Sequence, residues 1–204
     1  MLILADSDVV RKLAFCELLL DFHQLMVIPP DQMRVLPALK HQLFRKLEKF
    51  PAALANFKQF LTKVADVPIA QSDWIEFFSD LDVGEQQLFS LLCQGAAQEI
   101  VTGDKNCLAA VSGLCVVQGQ LKTILDTKKI WCFEAIVLRF LEKRGFSIVN
   151  ARMQKWRGIQ GGHFDAVMNQ AFPPTGGSLE NSKSVLLDFV SKLQSRAPLV
   201  VLNY

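Results

Sequence analysis

The 204-residue sequence predicts an α/β fold, in which a small, mostly parallel central sheet lies between helices as a three-layer α/β/α sandwich with extra helices. Short continuous apolar runs, typical of strands buried on both faces, alternate with longer segments whose apolar residues recur every three or four positions, as in helices. Half of the residues are apolar, which is enough for a full core. We therefore expect one domain over 1–204, with helical additions around 50–80 and after 120.

The strands are short, and turn or capping residues separate them from the helices. The predicted strands are Leu2–Ala5, Leu25–Ile28, a run that ends at Ile100 and Val101, Phe146–Val149 and Leu199–Leu202. Helices are predicted after residue 8, over about 31–48 and 51–64, from residue 72, over 85–97, after residue 104, and over 132–144 and 178–195. The segment 150–164, which holds three glycines, is expected to be an exposed loop, and 121–130 is ambiguous.

The net charge does not indicate a binding partner, but the charged residues are distributed unevenly along the chain. The 22 Lys and Arg residues nearly balance the 20 acids, which gives a net charge of +2. Residues 64–104 contain eight acids and no Lys or Arg, so the basic residues all lie in the flanking regions. We therefore expect one acidic part of the surface and a basic remainder.

The cysteines and the apolar runs indicate a soluble, cytoplasmic protein without a membrane partner. The five cysteines include no Cys-x-x-Cys pair and lie in apolar helical stretches, so we expect buried reduced thiols rather than zinc ligands. No stretch reaches the roughly 18 consecutive apolar residues of a membrane span. Asp6 and Asp8 interrupt the first apolar run, which also has no basic region before it.

Carboxylates follow two of the predicted strands, at the sheet edge where open α/β sheets bind ligands. Asp6 and Asp8 come after the first strand, and Asp104 follows the strand that ends at Val101. Glu85 begins the helix that leads into that strand, so it is expected at the same edge. Mg²⁺ and Mn²⁺ prefer oxygen ligands, and two such ions can stabilise both oxygens of a phosphodiester displacement. Each acid also fits an ordinary helix cap or first-turn position.

Three segments, in order along the chain, resemble the PIN-domain nucleases. They are the opening ILADSDVVRKL at 3–13, the Gly84-Glu85 helix start followed by Leu88 and Leu91, and IVTGDK at 100–105. The resemblance implies a PIN-like α/β/α sandwich that cleaves RNA with Mg²⁺ or Mn²⁺. It makes Asp6, Glu85 and Asp104 the catalytic metal ligands, with Thr102 supporting the site through its hydroxyl.

The sequence departs from that family after the second predicted strand, where PIN domains usually carry another acid on a helix. The segment Asp31–Pro37 has no acid at the expected place, so Asp31 or Asp8 would have to substitute, and Asp8 is included among the metal ligands. This gap leaves a second hypothesis, a catalytically degenerate PIN-like module that binds nucleic acid or protein. The resemblance also implies a possible antitoxin-like protein regulator, and the apolar composition is compatible with a homodimer.

Substrate contacts are expected from cations near the site and from one aromatic cluster. Lys105 is placed to contact a phosphate, and the segment with Arg152, Lys155, Trp156 and Arg157 offers cations beside a ring that can stack on a base of RNA or single-stranded nucleic acid. A Trp flanked by basic residues is also common in half-buried packing.

A different enzyme class shares the opening motif. Asp6-Ser7-Asp8 after an apolar strand resembles the first motif of haloacid-dehalogenase-type phosphatases, whose two Asp residues act as nucleophile and general acid. Thr102 would match that family's second motif. No Gly-Asp or Asp-Asp pair follows Lys128 to bind magnesium, so this alternative is the less favoured.

Overall fold

The computed structural model describes residues 1–4, 6–198 and 200. The strands in this part of the chain are β1 (Leu2–Leu4), β2 (Met33–Val35), β3 (Ala65–Asp66), β4 (Glu99–Val101) and β5 (Lys129–Trp131). They form one sheet in the order β3-β2-β1-β4-β5, and every neighbouring pair is parallel. The predicted α/β class and its small parallel sheet are therefore confirmed.

Helices occupy most of the remaining described chain. They are α1 (Ser7–Phe15), α2 (Phe22–Met26), α3 (Pro37–Leu47), α4 (Pro51–Leu61), α5 (Ser72–Phe77), α6 (Val83–Cys93), α7 (Lys105–Val117), α8 (Gly119–Leu125), α9 (Phe133–Arg144), α10 (Phe146–Arg157), α11 (Ala166–Ala171) and α12 (Leu179–Arg196). A short 3-10 helix, Pro30–Gln32, precedes β2. None of these helices combines the length and apolarity that crossing a membrane requires.

β1 is the central strand and fixes the position of the site. Leu4, at its end, aligns with Val35 of β2 on one side and with Val101 of β4 on the other. All three side chains are fully buried, because helices cover both faces of a parallel sheet. The carboxyl ends of β1, β2 and β4 consequently meet at one edge, and the chain leaves the sheet there through Asp6, Leu36 and Thr102.

The helices form groups on both sides of this sheet. Helix α1 contacts α3 and α4, whereas α6 contacts α5 and α8. The chain moves toward one edge of the sheet from β1 to β3 and toward the other from β3 to β5. Right-handed crossovers then put the two helix groups on opposite faces, which is compatible with the expected three-layer sandwich.

The prediction of a second strand at Leu25–Ile28 is wrong. Leu25 and Met26 belong to α2, where they are buried at helical spacing with Phe22. Val27 has a left-handed φ of 56° and is 75% exposed, so it ends the helix instead of entering the sheet. The actual strand is β2, and the helix expected over 31–48 therefore begins only at Pro37.

The prediction of a strand at Phe146–Val149 is also wrong. The segment opens α10, and its buried residues Val149, Met153 and Trp156 follow each other at steps of four and three, which is the spacing of a helix. The expected exposed loop over 150–164 is accordingly helical as far as Arg157. Gly145, with a φ of 81°, separates α10 from α9.

The ambiguous stretch 121–130 contains the end of α8 and the beginning of β5. Several other elements match their predictions, including α4 from Pro51, α7 after Asp104, and α12 after its cap Ser178. The predicted final strand, Leu199–Leu202, lies outside the described residues except for Val200.

Candidate functional site

A cavity of about 490 Å³, here named the first cavity, opens beside the carboxyl ends of β1 and β4. One wall carries the carboxylates of Asp6, Asp82, Glu85 and Asp104. A second, mainly apolar wall is formed by Leu36 and the beginning of α3. Three of the four carboxylates predicted as metal ligands thus line one cavity, and no Lys or Arg of the described chain lines it.

Asp6 joins the two central strands at this edge. Its Oδ1 accepts hydrogen bonds from the amides of Asp8 (2.6 Å) and Val9 (3.4 Å), so it caps α1. Its Oδ2 accepts a hydrogen bond of 2.8 Å from the amide of Gly103, in the turn that follows β4. A Cβ at Gly103 would lie only 3.1 Å from this oxygen, so the close approach favours glycine. Both oxygens of Asp6 are therefore used within the protein.

Asp104 caps α7 with one oxygen. Its Oδ1 accepts hydrogen bonds from the amides of Asn106 (2.8 Å) and Cys107 (2.9 Å). The buried hydroxyl of Thr102 accepts a 3.3 Å hydrogen bond from the amide of Asp104, which orients the turn before the helix. The supporting position predicted for Thr102 thus matches its place beside Asp104, although a role in chemistry stays a prediction.

Glu85 belongs to a capping box at the start of α6. Its amide donates to Asp82 Oδ1 (2.9 Å), and its Oε2 accepts from the amide of Asp82 (3.3 Å). Burial is the largest cause that raises the pKa of Glu85. The negative charges of Asp82 and Asp104 raise it further, against hydrogen bonds from the Asp82 amide and the Cys107 thiol.

Asp82 is missing from the predicted set, although a sequence signal for it exists. Asp82-Val83-Gly84-Glu85 has the Asp-x-x-Glu spacing of a capping box, which places the first acid beside the fourth residue at the start of a helix. Once Glu85 is assigned to the site, that spacing brings Asp82 to the same wall.

Asp8 lies apart from the other predicted ligands. It lines a second cavity, of about 330 Å³, which is on the other side of Asp6 and shares that residue with the first cavity. Asp8 forms ion pairs with Arg11 (2.5 Å) and Lys12 (3.0 Å). Burial acts to raise the pKa of Asp8, but these two cations outweigh it and the pKa is lowered. Its charge is thus already neutralised within the protein.

Lys12 is the centre of the second cavity. Its ammonium group lies 2.9 Å from Asp165, which caps α11, as well as 3.0 Å from Asp8. It also contacts the ring of Phe133, 5.3 Å from the centroid. Glu134 is buried beside this group, and its pKa is raised chiefly by that burial, while the charge of Lys12 opposes the shift.

The residues expected to contact substrate are not grouped at the first cavity. Lys105 is exposed, stacks over the ring of Phe189 at 4.5 Å and lines the second cavity. Trp156 is only 1% exposed, so its expected availability for stacking on a base is wrong. Its ring instead packs in the core and its Nε1 donates to Gly162 O at 2.9 Å.

The cations around Trp156 have partners in the protein. Arg152 forms an ion pair of 2.9 Å with Asp21, and Lys155 pairs with Glu17. Arg157 donates hydrogen bonds to Asn169 and to the Phe172 carbonyl. These contacts attach α10 to neighbouring segments, and a substrate role for the three cations stays a prediction.

The first cavity offers oxygen donors of the kind that hard divalent cations bind. No three His, Cys, Asp or Glu side chains of the described chain lie close enough together to hold a metal ion by themselves. Mg²⁺, however, commonly uses one or two carboxylates and completes its octahedral shell with waters and substrate phosphates. Asp104 and Glu85 suit that mode, because Asp104 uses a single oxygen for its cap and Glu85 faces like charges.

Comparisons of this chain with protein-family models, with curated proteins and with solved structures find no match. The functional interpretation therefore depends on the residues that line the two cavities.

Proposed function

We propose that this chain is a PIN-like, metal-dependent nuclease that hydrolyses phosphodiesters of RNA or single-stranded nucleic acid at the first cavity. The main support is the position of Asp6, Glu85 and Asp104, which come from three distant segments and line one cavity. These are the acids that the resemblance to PIN domains assigns to the metal. A cavity with four carboxylates and no lining cation favours the binding of a positive ion.

Some residues of the first cavity would bind the metal ion, and others would position those metal ligands. Asp104 and Glu85, with Asp82 beside them, would hold Mg²⁺ or Mn²⁺. When bound, such an ion neutralises phosphate charge and activates water for attack. Thr102 orients Asp104 through its amide, and Asp6 holds the turn at Gly103 in place through its hydrogen bond. Asp6 thus acts as a positioning residue as well as a candidate ligand.

The test is cleavage of a short single-stranded RNA by the full chain with Mn²⁺, compared between wild type and Asp104→Asn. Asn caps a helix as well as Asp, so the variant should fold while losing one charge at the metal. We expect the rate to fall by about two orders of magnitude or more. Asp73→Asn is the matched control, because it removes an exposed acid of the same acidic segment that lines neither cavity. Equal cleavage by wild type and Asp104→Asn would overturn the proposed site.

A second candidate function, binding without catalysis, is favoured by the hydrogen bonds of the same acids. Asp6 and Asp104 each cap a helix, and Glu85 completes a capping box, so all three have a structural role without any metal. Under this alternative the chain binds RNA but neither cleaves it nor shows saturable Mn²⁺ binding. Calorimetric titration with Mn²⁺, with and without the RNA, separates the two candidates.

A further inference from the structure

The charge of the chain changes sign between two consecutive segments that meet at the first cavity. Residues 37–63 contain six Lys or Arg residues and a single acid, Glu48, whereas 64–104 contain eight acids and no Lys or Arg. The start of α3, in the basic segment, forms the mainly apolar wall of the cavity. The acidic segment supplies Asp82, Glu85 and Asp104 on the other wall.

Three basic residues of α3 and of the turn after it lie along one exposed face together with Gln42. Gln42, Arg45, Lys46 and Lys49 follow at steps of three, one and three, so they share one side of the helix and of the turn that continues it. All four are exposed. Glu48, three residues after Arg45, lies at the edge of this face. We name these four residues the α3 ridge.

The α3 ridge begins at the rim of the first cavity. Gln42 lines the cavity, and Lys46, one turn further, donates a 3.0 Å hydrogen bond to the hydroxyl of Ser7, which lines it as well. Arg45 and Lys49 form no ion pair or hydrogen bond with any residue that the structure describes. Within the described chain, the ridge therefore presents cations that form no ion pair and that continue outward from the acidic site.

We infer that the α3 ridge is the surface on which the phosphate backbone of a single-stranded nucleic acid binds, so that one phosphodiester is delivered into the first cavity. This inference rests on the proposed function for the direction of delivery, but the binding itself requires no metal. Lys46 is a positioning residue that contacts the phosphate next to the cavity, and Arg45 and Lys49 contact phosphates further along. Cations on an exposed face give sequence-independent affinity for such a backbone.

A flexible polyanion fits the ridge better than a lipid surface does. Helices that lie on membranes bury an apolar side in the lipid. The apolar side of α3, with Leu39, Leu43 and Leu47, is already buried in the core of the protein. Outside this buried side, Phe44 is a single partly exposed ring, which is less than the continuous apolar face that a membrane-bound helix needs. The cationic side is exposed, and a single strand can follow it to the cavity.

The test measures binding of a fluorescein-labelled single-stranded RNA of about 12 nucleotides to the full chain in EDTA. The ridge variant Arg45→Gln/Lys49→Gln is compared with Lys143→Gln/Arg196→Gln, which removes two exposed cations elsewhere and changes the net charge equally. We expect the ridge variant to bind about tenfold more weakly, and the slope of log affinity against log salt to fall by about 1.4, or about 0.7 for each lost phosphate contact. The control pair should bind within about twofold of wild type.

The variant Lys46→Gln should cleave RNA with Mn²⁺ at a higher KM than wild type and with an unchanged kcat, because Lys46 positions the backbone without touching the reacting atoms. Equal losses of RNA binding in the two double variants would overturn the inference. So would loss of binding to phosphatidylserine vesicles by the ridge variant with unchanged RNA binding. Ridge-dependent RNA binding without any cleavage would support the inference while refuting the proposed nuclease. Metal-dependent cleavage at the same rate by wild type and the ridge variant would support the proposed nuclease and refute the inference about the ridge.

Discussion

The two cavities on either side of Asp6 are each lined by four carboxylates. They differ in whether Lys and Arg side chains of the protein neutralise these negative charges. In the second cavity, Lys12 lies between Asp8 and Asp165, and Arg11 pairs with Asp8. In the first cavity no described Lys or Arg is present, and the pKa of Glu85 is raised by burial and by neighbouring acids.

This difference separates acids that stabilise the fold from acids that are available to a ligand. A carboxylate with a lysine partner can tie two elements together, as Asp165 before α11 is tied to α1 through Lys12. A carboxylate that faces like charges costs stability until a cation arrives. The comparison therefore points to the first cavity as the place where the protein can gain from an added positive charge.

The largest expected effect is the loss of the cation from the second cavity. Lys12→Met keeps much of the side-chain volume but leaves Asp165 and buried Glu134 without the positive charge of Lys12, while Asp8 keeps its ion pair with Arg11. We expect the free energy of unfolding to fall by about 2–3 kcal/mol, somewhat below the loss for a fully buried pair because Asp8 is half exposed. Urea unfolding at pH 7 measures the change.

Lys122→Met is the control for that substitution. Its ammonium pairs with Asp126, one turn away, and both side chains are about two-fifths exposed. Its loss should cost about 0.3–0.5 kcal/mol. Similar losses at Lys12 and Lys122 would mean that the second cavity does not depend on its lysine.

A smaller effect is expected where the two cavities share a wall. In Gly103→Ala, the new Cβ lies 3.1 Å from Asp6 Oδ2 and 3.3 Å from a methyl group of Val9, so it forces Asp6 or the turn to move. We expect a loss of about 1 kcal/mol in unfolding free energy. Gly113→Ala, in the interior of α7 with nothing within 4 Å of the new Cβ, should instead gain about 0.5–1 kcal/mol. A neutral or stabilising Gly103→Ala would contradict the tight approach to Asp6.

The smallest expected effect is the removal of one uncompensated charge from the first cavity. Glu85→Gln keeps the capping box, since Gln accepts the same amide hydrogen bond, and it should change the stability of the metal-free chain at pH 7 by less than about 1 kcal/mol, toward greater stability. Adding Mn²⁺ should reverse the order, because the wild type, with one more carboxylate for the ion, gains more stability from its binding. Thermal melts with and without Mn²⁺ measure both differences.

The pH dependence of stability tests independently whether the charge of Glu85 lowers the free energy of unfolding. Because the pKa of Glu85 is raised above its ordinary 4.5, the folded chain keeps this proton at pH values where the unfolded chain has lost it. As pH rises from about 4.5 through the raised pKa, the free energy of unfolding of the wild type therefore falls relative to that of Glu85→Gln. Above the raised pKa, the difference between the two proteins is constant. A gap that stays the same between pH 4 and pH 7 without metal would show that the charge of Glu85 costs nothing.

Local patterns in the sequence predict the elements that their own residues determine. Pro51 and Ser178 begin helices where proline and serine usually do, and the buried run that ends at Val101 is a strand. The failures at Leu25–Ile28 and Phe146–Val149 come from short apolar runs, whose length fits either a strand or a buried helical turn. Tertiary packing decides between them, and no pattern within four residues contains that information.

The site was predictable to the extent that it depends on strand ends. Asp6 and Asp104 are placed at one edge by the parallel sheet, and Glu85 is placed by the helix that leads into β4. The ion pairs of Asp8 with Arg11 and Lys12 follow helical spacing and could have been predicted. The pairing of Lys12 with Asp165 and the burial of Trp156 against Phe15 and Phe133 could not, because these partners come from distant parts of the chain. The same applies to the alignment of α3 with the cavity rim.

The hydrogen bond between the Gly103 amide and Asp6 joins residues 97 positions apart in the chain. No fragment that contains only one end of this bond can assemble the shared wall of the two cavities. The wall therefore forms only when β1 and β4 are paired, late in any folding order that begins with local helices. In the folded protein, the Gly103 amide exchanges with solvent only when the turn separates from Asp6, so its exchange rate reports how often the site opens.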